Sequence, residues 1–343
     1  MSRRRKLWWK LNKWLIYATL VIGLGALIPS NVIPGTGILA MIFPFMGIPL
    51  VLAFIYWCIR LNKRALVNAV ALGIMSVPSG AWIPYAPKPN VSESAFALAS
   101  FNVQAFYSDK NAAHEVSQWT KETGIDILCV QELRKRKDAP LRKQFKHAAY
   151  STTPKGFGVA VYSNFPVVSQ RGLRFTESAQ KLYNNLSAQE VDLRIGQDTV
   201  RIINVHLATT GVQDGDIAFS PTEDTWYKSP LNVFKKLVST DALRGAQGND
   251  LIRWVKESPY PVILTGDFNT VPGGYTYIRL LGQLNDPYID QGFGKPGTYI
   301  PLKRKGIPIK IDWTLVDPSI ETLGQTTGNV IASDHSPLIT YFK

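Results

Sequence analysis

The chain has 343 residues, with 38 Lys and Arg against 25 Asp and Glu and a formal charge of +13. Ten of the basic residues (Arg3, Arg4, Arg5, Lys6, Lys10, Lys13, Arg60, Lys63, Arg64 and Lys88) fall within residues 1–90, which hold no Asp or Glu, so the rest of the chain carries only +3. That near-neutrality removes a global electrostatic case for polynucleotide binding, and two cysteines without ligand spacing (Cys58 and Cys129) point to packing rather than to a disulfide framework or a thiolate metal site.

Three apolar stretches come first. "WLIYATLVIGLGALI" (14–28), extendable to Ile33, predicts a first membrane span over about 14–33. "ILAMIFPFMGIPLVLAFIYWCI" predicts a second over 38–59, and a weaker third covers 65–82, carrying Asn68, Ser76 and Pro78. A cleaved signal peptide would need a small-residue cleavage site, which is missing, and a second span follows at once. "RRRK" and "RLNKR" flank an uncharged loop at 29–37, which places the N-terminus and residues 60–64 in the cytoplasm. With three spans everything beyond about residue 85 is extracytoplasmic, periplasmic in the case of a bacterial inner membrane. If the third segment only lies in the interface, the rest is cytoplasmic. Residues 1–85 are thus a candidate transmembrane module, 86–95 a Pro- and Ser-containing linker, and 96–343 a soluble domain.

In that domain strands are expected at 96–103, 126–131, 158–163, 186–193, 199–207, 261–267, 309–316 and 337–342, with helices at 111–123, 241–257 and 274–282. Several strands are continuous apolar runs, as in sheets covered on both faces. Residues 208–240 read as a long insertion with Trp226, Tyr227 and Phe234. Asn102, Glu132, His206, Asp267, Asn269, Asp312, Asp334 and His335 are expected at the C-terminal ends of the apolar strands. Singly, each has an ordinary structural explanation, such as an Asn or Asp satisfying turn backbone or a His bonded in the core. Together they would be costly to bury unpaired, and convergence on one hydrated, cationic site is the economical arrangement. Glu132 is a hard oxygen ligand suited to Mg²⁺, and a carboxylate near a His can orient the imidazole.

The ordered set "SFNVQ", "VQE", "GVAVYS", "NVHL", "GDFNTVP", "KIDWTLV" and "SDHSPL" resembles the endonuclease/exonuclease/phosphatase (deoxyribonuclease I-like) superfamily over about 97–342. Three spans ahead of such a domain are similar to a group of membrane-anchored bacterial homologues. The resemblance implies a four-layered α/β/β/α sandwich. Asn102 and Glu132 match the metal-site pair, with Glu132 the direct Mg²⁺ ligand (Mn²⁺ as a substitute), and Asp334 the acid near the metal. Asp267 and Asn269 match the pair that positions the attacking water. His335 matches the general base or phosphate contact, and Asp312 the carboxylate that orients it. His206 matches the histidine that binds phosphate or protonates the leaving oxygen. The implied chemistry is in-line attack of water on phosphorus.

The histidine of "NVHL" argues against the AP-endonuclease branch. Between "YSNFP" and "NVHL" the chain offers no Asp-Gly-Arg element, and Asn184 or Asn185 is the candidate for that edge of the site. The run "RKRKDAPLRKQFKH" (134–147) is either a solvated helix face or a cationic collar, with Arg134 and Lys135 as candidate substrate contacts. The favoured expectation is a membrane-anchored phosphodiesterase or phosphatase acting on an anionic lipid headgroup presented by the bilayer. An extracytoplasmic nuclease is the alternative; an inactive binding module is disfavoured by the intact polar set. No protein partner can be inferred.

Overall fold

The computed structural model describes residues 3–80, 82–91, 95–176, 187–209 and 230–343. These fall into two compact units. One takes 3–80 together with 230–245 and 272–278, and the other takes the remaining described residues. Asn184, Asn185, Trp226 and Tyr227 lie outside the described residues.

In the first unit α1 (Arg3–Ala26), α2 (Thr36–Ile42), α3 (Gly47–Ile59) and α4 (Arg64–Gly80) follow one another. Helix α1 stops at Ala26, short of the expected Ile33, since Pro29 cannot continue it and Gly35 takes a left-handed φ of 94°. A 3₁₀ turn, Phe43–Met46, joins α2 to α3 around Pro44. Three of the helices are tied by buried polar side chains. Asn12 and Asn68 exchange amide hydrogen bonds at 2.8 and 2.9 Å, and the Trp57 indole donates to Asn12 Oδ1 at 2.7 Å. Arg64 stacks on Trp9 and Trp57 beside them. Most of the remaining apolar surface is bare: Trp14, Val21, Leu24, Ile48, Leu52, Ile59, Leu66 and Val70 are all exposed.

The second unit begins with β1 (Phe96–Asn102), α5 (Ala112–Glu122), β2 (Ile127–Arg134) and α6 (Ala139–Gln144). Strands β3 (His147–Thr152), β4 (Phe157–Ser163), β5 (Val167–Gly172), β6 (Ala188–Ile195) and β7 (Asp198–His206) follow. Helix α7 (Pro230–Lys256) is shared by both units; β8 (Val262–Asp267), α8 (Tyr275–Leu281), α9 (Pro287–Gln291) and β9 (Gly292–Phe293) come next. The chain closes with α10 (Ile300–Arg304), β10 (Asp312–Val316), β11 (Thr322–Thr327) and β12 (Leu338–Phe342).

Two mixed sheets result, ordered β3-β4-β2-β1-β12-β11-β9 and β10-β8-β7-β6-β5. Alternation along each strand divides the core. Leu98, Ile127, Cys129 and Val161 of the larger sheet pack with Val191, Ile202 and Ile263 of the smaller one. The opposite-facing Phe101, Leu128, Val130 and Tyr162 pack with Val116 and Trp119 of α5 and Leu141 of α6. On the far side of the smaller sheet Ile203, Val205 and Leu264 are buried, as are Leu251 and Trp254 of α7.

Two expectations are corrected. The insertion expected to run to residue 240 ends at Pro230, which opens α7 where a missing N–H costs nothing. The basic run 134–147 is not one helix face, because it spans the end of β2, a short 3₁₀ turn, α6 and the start of β3. At its centre the fully buried Asp138 accepts hydrogen bonds from Tyr150 Oη (2.9 Å), Tyr162 Oη (2.7 Å) and Arg142 Nε (2.8 Å). Replacing Asp138 with Ala strands the hydroxyl of buried Tyr162, so we expect a loss of about 3 kcal/mol. Chemical denaturation of Asp138→Ala against the parent checks this; a loss under about 0.5 kcal/mol would show that the network is not a structural tie.

Candidate active site at the strand edges

The parallel pairings β1/β2 and β7/β8 bring four strand ends to one edge. In the smaller sheet His206 lies in register with Asp267, and Asp267 in register with Asp312, so three adjacent strands present three polar side chains in a row. Asp312 opens β10 rather than standing at its end, and the antiparallel pairing with β8 returns it to the same edge. Asp334 and His335 likewise precede β12, which runs antiparallel to β1.

Asp267 is the hub. Its Oδ1 accepts from the Asn269 N–H (2.8 Å) and its Oδ2 from Asn102 Nδ2 (3.0 Å). The same amide nitrogen of Asn102 reaches Glu132 Oε1 at 3.2 Å, while its oxygen accepts from the Gln104 N–H. Asn102 therefore bridges the two carboxylates as a donor. Burial pushes the Asp267 carboxyl above its ordinary range, against the opposing pull of His335. Asn269 adopts φ 51° and donates its amide to Leu207 O at 3.1 Å, tying the β8 turn to the end of β7.

Glu132 is aimed by the backbone. The β2/β4 pairing skips Gln131 and Glu132, and Glu132 sits at φ 50°, a conformation that costs a residue with a Cβ about 1–2 kcal/mol. Bulges of this kind re-aim side chains at sites. Its side chain is 37 % exposed, whereas Asp267 is 1 % exposed.

His335 Nδ1 lies 2.9 Å from Asp312 Oδ2, and its Nε2 3.8 Å from Asp267 Oδ2. Burial alone would lower its pKa, but the Asp312 and Asp267 carboxylates outweigh that and raise it to about 10. Two residues that sequence reading missed hold this dyad. Thr298 Oγ1 accepts from the N–H groups of Ile311 and Asp312 (3.0 and 3.2 Å). Ser333 Oγ donates to Asn102 O (2.7 Å) and accepts from the His335 N–H (3.2 Å). Ser333 was visible in "SDH", but nothing in "GTY" marks Thr298, which acts through its place beside β10. Asp334 takes a weak hydrogen bond from Ser333 Oγ (3.3 Å), and its backbone oxygen receives the Ile300 N–H.

His206 Nε2 is buried without a hydrogen-bond partner, 3.6 Å from Glu132 Oε1 and 3.7 Å from Asp267 Oδ2; Asp312 Oδ1 is also unpartnered. Unpaired buried polar atoms facing carboxylates suit a bound cation and an anionic ligand. Among the described residues Asp267, Asp312 and His335 form an acid/His cluster, their ligand atoms all within 4.8 Å of one another. Because His335 and Asp312 already bond each other, half-open Glu132 is the better seat for a cation that keeps its water. These donors fit a divalent metal.

Of the two basic candidates, Arg134 donates to Tyr107 Oη (3.0 Å) and stacks over Tyr107 and Phe157 at the rim of β2. Lys135 is not gathered with the site residues, since its ammonium sits 4.2 Å over the Tyr150 ring.

Two mixed sheets with amides, carboxylates and imidazoles at one edge define a metal-dependent phosphoesterase. The chain belongs to the endonuclease/exonuclease/phosphatase family, whose model matches residues 99–335. Comparison with curated proteins by sequence gives no match. Among solved structures it is similar to sphingomyelinase C from Streptomyces griseocarneus (TM-score 0.54, 16 % identity, 72 % of this chain and 99 % of that one). It is also similar to TDP2 from C. elegans (TM-score 0.51, 18 % identity, 72 % of this chain and 74 % of that one). A third is the beta toxin of Staphylococcus aureus, as a double mutant with bound magnesium ions (TM-score 0.50, 16 % identity, 72 % and 99 %). At these identities the likeness is one of fold.

Proposed function

We propose that this phosphoesterase is a membrane-anchored, Mg²⁺-dependent phosphodiesterase or phosphatase whose substrate is a phosphate ester in a lipid headgroup. The observation that carries the membrane part is the apolar stretch Thr36–Ile59. It is long enough to cross a bilayer, yet only 17 % of its most apolar window is buried, unlike a core helix. Residues 1–85 then form a three-helix module held by Asn12, Trp57 and Asn68, 86–95 a linker, and 96–343 the catalytic domain. With all three helices crossing, that domain is extracytoplasmic.

At the site, Glu132, with Asp334 nearby, would hold Mg²⁺, which neutralises charge developing on the phosphate oxygens. Asn102 keeps Glu132 and Asp267 at a fixed separation. Asp267 and Asn269 position the attacking water. His335, held by Asp312 and charged at neutral pH, contacts the scissile phosphate, and His206 binds phosphate or protonates the leaving oxygen. Arg134 lies at the rim as a substrate contact.

A membrane-held site favours a substrate that the bilayer presents, because tethering raises its effective concentration there. The test is a panel on detergent-solubilised protein with Mg²⁺: sphingomyelin, glycerophospholipids, phosphoinositides, plasmid DNA, RNA and bis-p-nitrophenyl phosphate. Turnover of at least one lipid is expected, abolished by EDTA and restored by Mg²⁺. Hydrolysis of DNA or RNA with no lipid cleaved overturns the lipid assignment in favour of an extracytoplasmic nuclease.

A further inference from the structure

The turn between α1 and α2 is occupied by residues from far along the chain. Asp241 of α7 places Oδ2 3.2 Å from the Gly35 N–H and 3.0 Å from the Gly37 N–H, so its carboxylate caps α2. Ser30 Oγ donates to the Asp241 backbone oxygen at 2.9 Å. The approach is close enough to require glycine. A Cβ on Gly37 would collide with Asp241 Oδ1, and one on Gly245 would lie 2.6 Å from both Ser30 Oγ and the Asn31 nitrogen. A second stretch also arrives here, since a Cβ at Gly274 would rest 3.6 Å from Ala40 Cβ and 3.9 Å from Ala26 O.

We infer that the α1–α2 turn and the stretches around Asp241, Gly245 and Gly274 that pack on it within the first unit lie on the extracytoplasmic face, which makes α4 a complete crossing and puts the active site outside the cytoplasm. The inference rests on the membrane-anchored reading above. The rest is parity. No run beyond residue 95 is apolar enough to cross a bilayer, so Asp241, Gly245 and Gly274 share one face with the strands before and after them. The turn they grip is on that face too. The chain then leaves through Thr36–Ile59, and it has to return before β1; α4 alone is available to bring it back.

The geometry of α4 permits this. Its 17 residues span roughly 26 Å, a little less than a hydrocarbon core. Its polar Asn68 is fully buried and paired with Asn12, so the amide is not offered to lipid. Both basic clusters, Arg3–Lys6 and Arg60–Arg64, then face the side opposite the uncharged turn. That side is the cytoplasm by the positive-inside rule. Asn12, in the first half of α1, meets Trp57, near the end of α3, and Asn68, near the start of α4, as an up-down-up arrangement requires.

The test uses the full chain in sealed membranes, with Cys58 replaced by Ser and single cysteines introduced at exposed Asn31, Lys63 or Lys88. A membrane-impermeant maleimide is applied to right-side-out and to inside-out vesicles. Asn31→Cys and Lys88→Cys should label in the right-side-out vesicles, and Lys63→Cys in the inside-out ones. In membranes carrying Ala40→Cys with Gly274→Cys, a pair whose Cβ atoms lie 3.6 Å apart, mild oxidation should consume both thiols. Labelling of Lys88→Cys and Lys63→Cys from one face, opposite to Asn31→Cys, overturns the inference while leaving the anchor intact. Release of the unmodified chain by a carbonate wash instead overturns the membrane reading itself.

Discussion

Glu132→Gly is expected to abolish hydrolysis while leaving the protein at least as stable as the parent. The mutation removes the carboxylate best placed to hold the metal, and loss of charge stabilisation at the phosphate should cost at least ~10³-fold in kcat/KM on any substrate. It also removes two burdens. Glycine adopts φ 50° freely, where Glu132 stores strain, and the carboxylate no longer faces Asp267 across the Asn102 amide. A gain of up to ~1 kcal/mol in metal-free buffer follows, measured by denaturant unfolding beside a turnover assay at saturating Mg²⁺. Activity within tenfold of the parent would remove Glu132 from the site. Loss of both activity and stability would instead mark it as a structural residue of the β2 bulge.

Asp312→Asn should lower kcat by about 10³–10⁴-fold with little change in KM, as expected when an imidazole loses the carboxylate that holds its charge and orientation. The amide preserves the shape of the side chain and can preserve its length of reach to His335 Nδ1, now 2.9 Å, but it carries no charge and can present a donor to that nitrogen. His335→Ala should fall at least as far. Because the two act as a unit, the double variant should be no worse than His335→Ala alone. Multiplying losses in the double variant would show that the two residues act independently. The backbone supports of Asp312 come from Thr298 and do not change in any of these variants, so circular dichroism should match the parent.

Much of this site could be read from the chain because its residues are punctuation in apolar runs. Strands β1, β2, β4, β7 and β8 are long and buried, and they announce themselves by composition; Asn102, Glu132, His206 and Asp267 then stand out within them or at their ends. Strand β5 was not legible, since it is almost wholly exposed along its length and carries no apolar pattern. The two-residue β9 is too short for any pattern, and β3 follows the basic run that masked it. The first half of α7 carries little local signal because its partners lie some 200 residues away, in the α1–α2 turn.

The family's ordered set of polar residues, the apolar segments ahead of them and the asymmetry of charge around those segments are written in the chain. These are local properties, set by residue type and by spacing along one dimension. Folding alone makes Asn102 a bridging donor and brings Asp312 to the site from the start of an antiparallel strand. It alone set the backbone bulge that turns Glu132, and it brought Asp241 to cap a helix two hundred residues earlier. Each depends on strand direction, a left-handed φ or a contact distant in sequence, and none of these leaves a periodic trace in the chain.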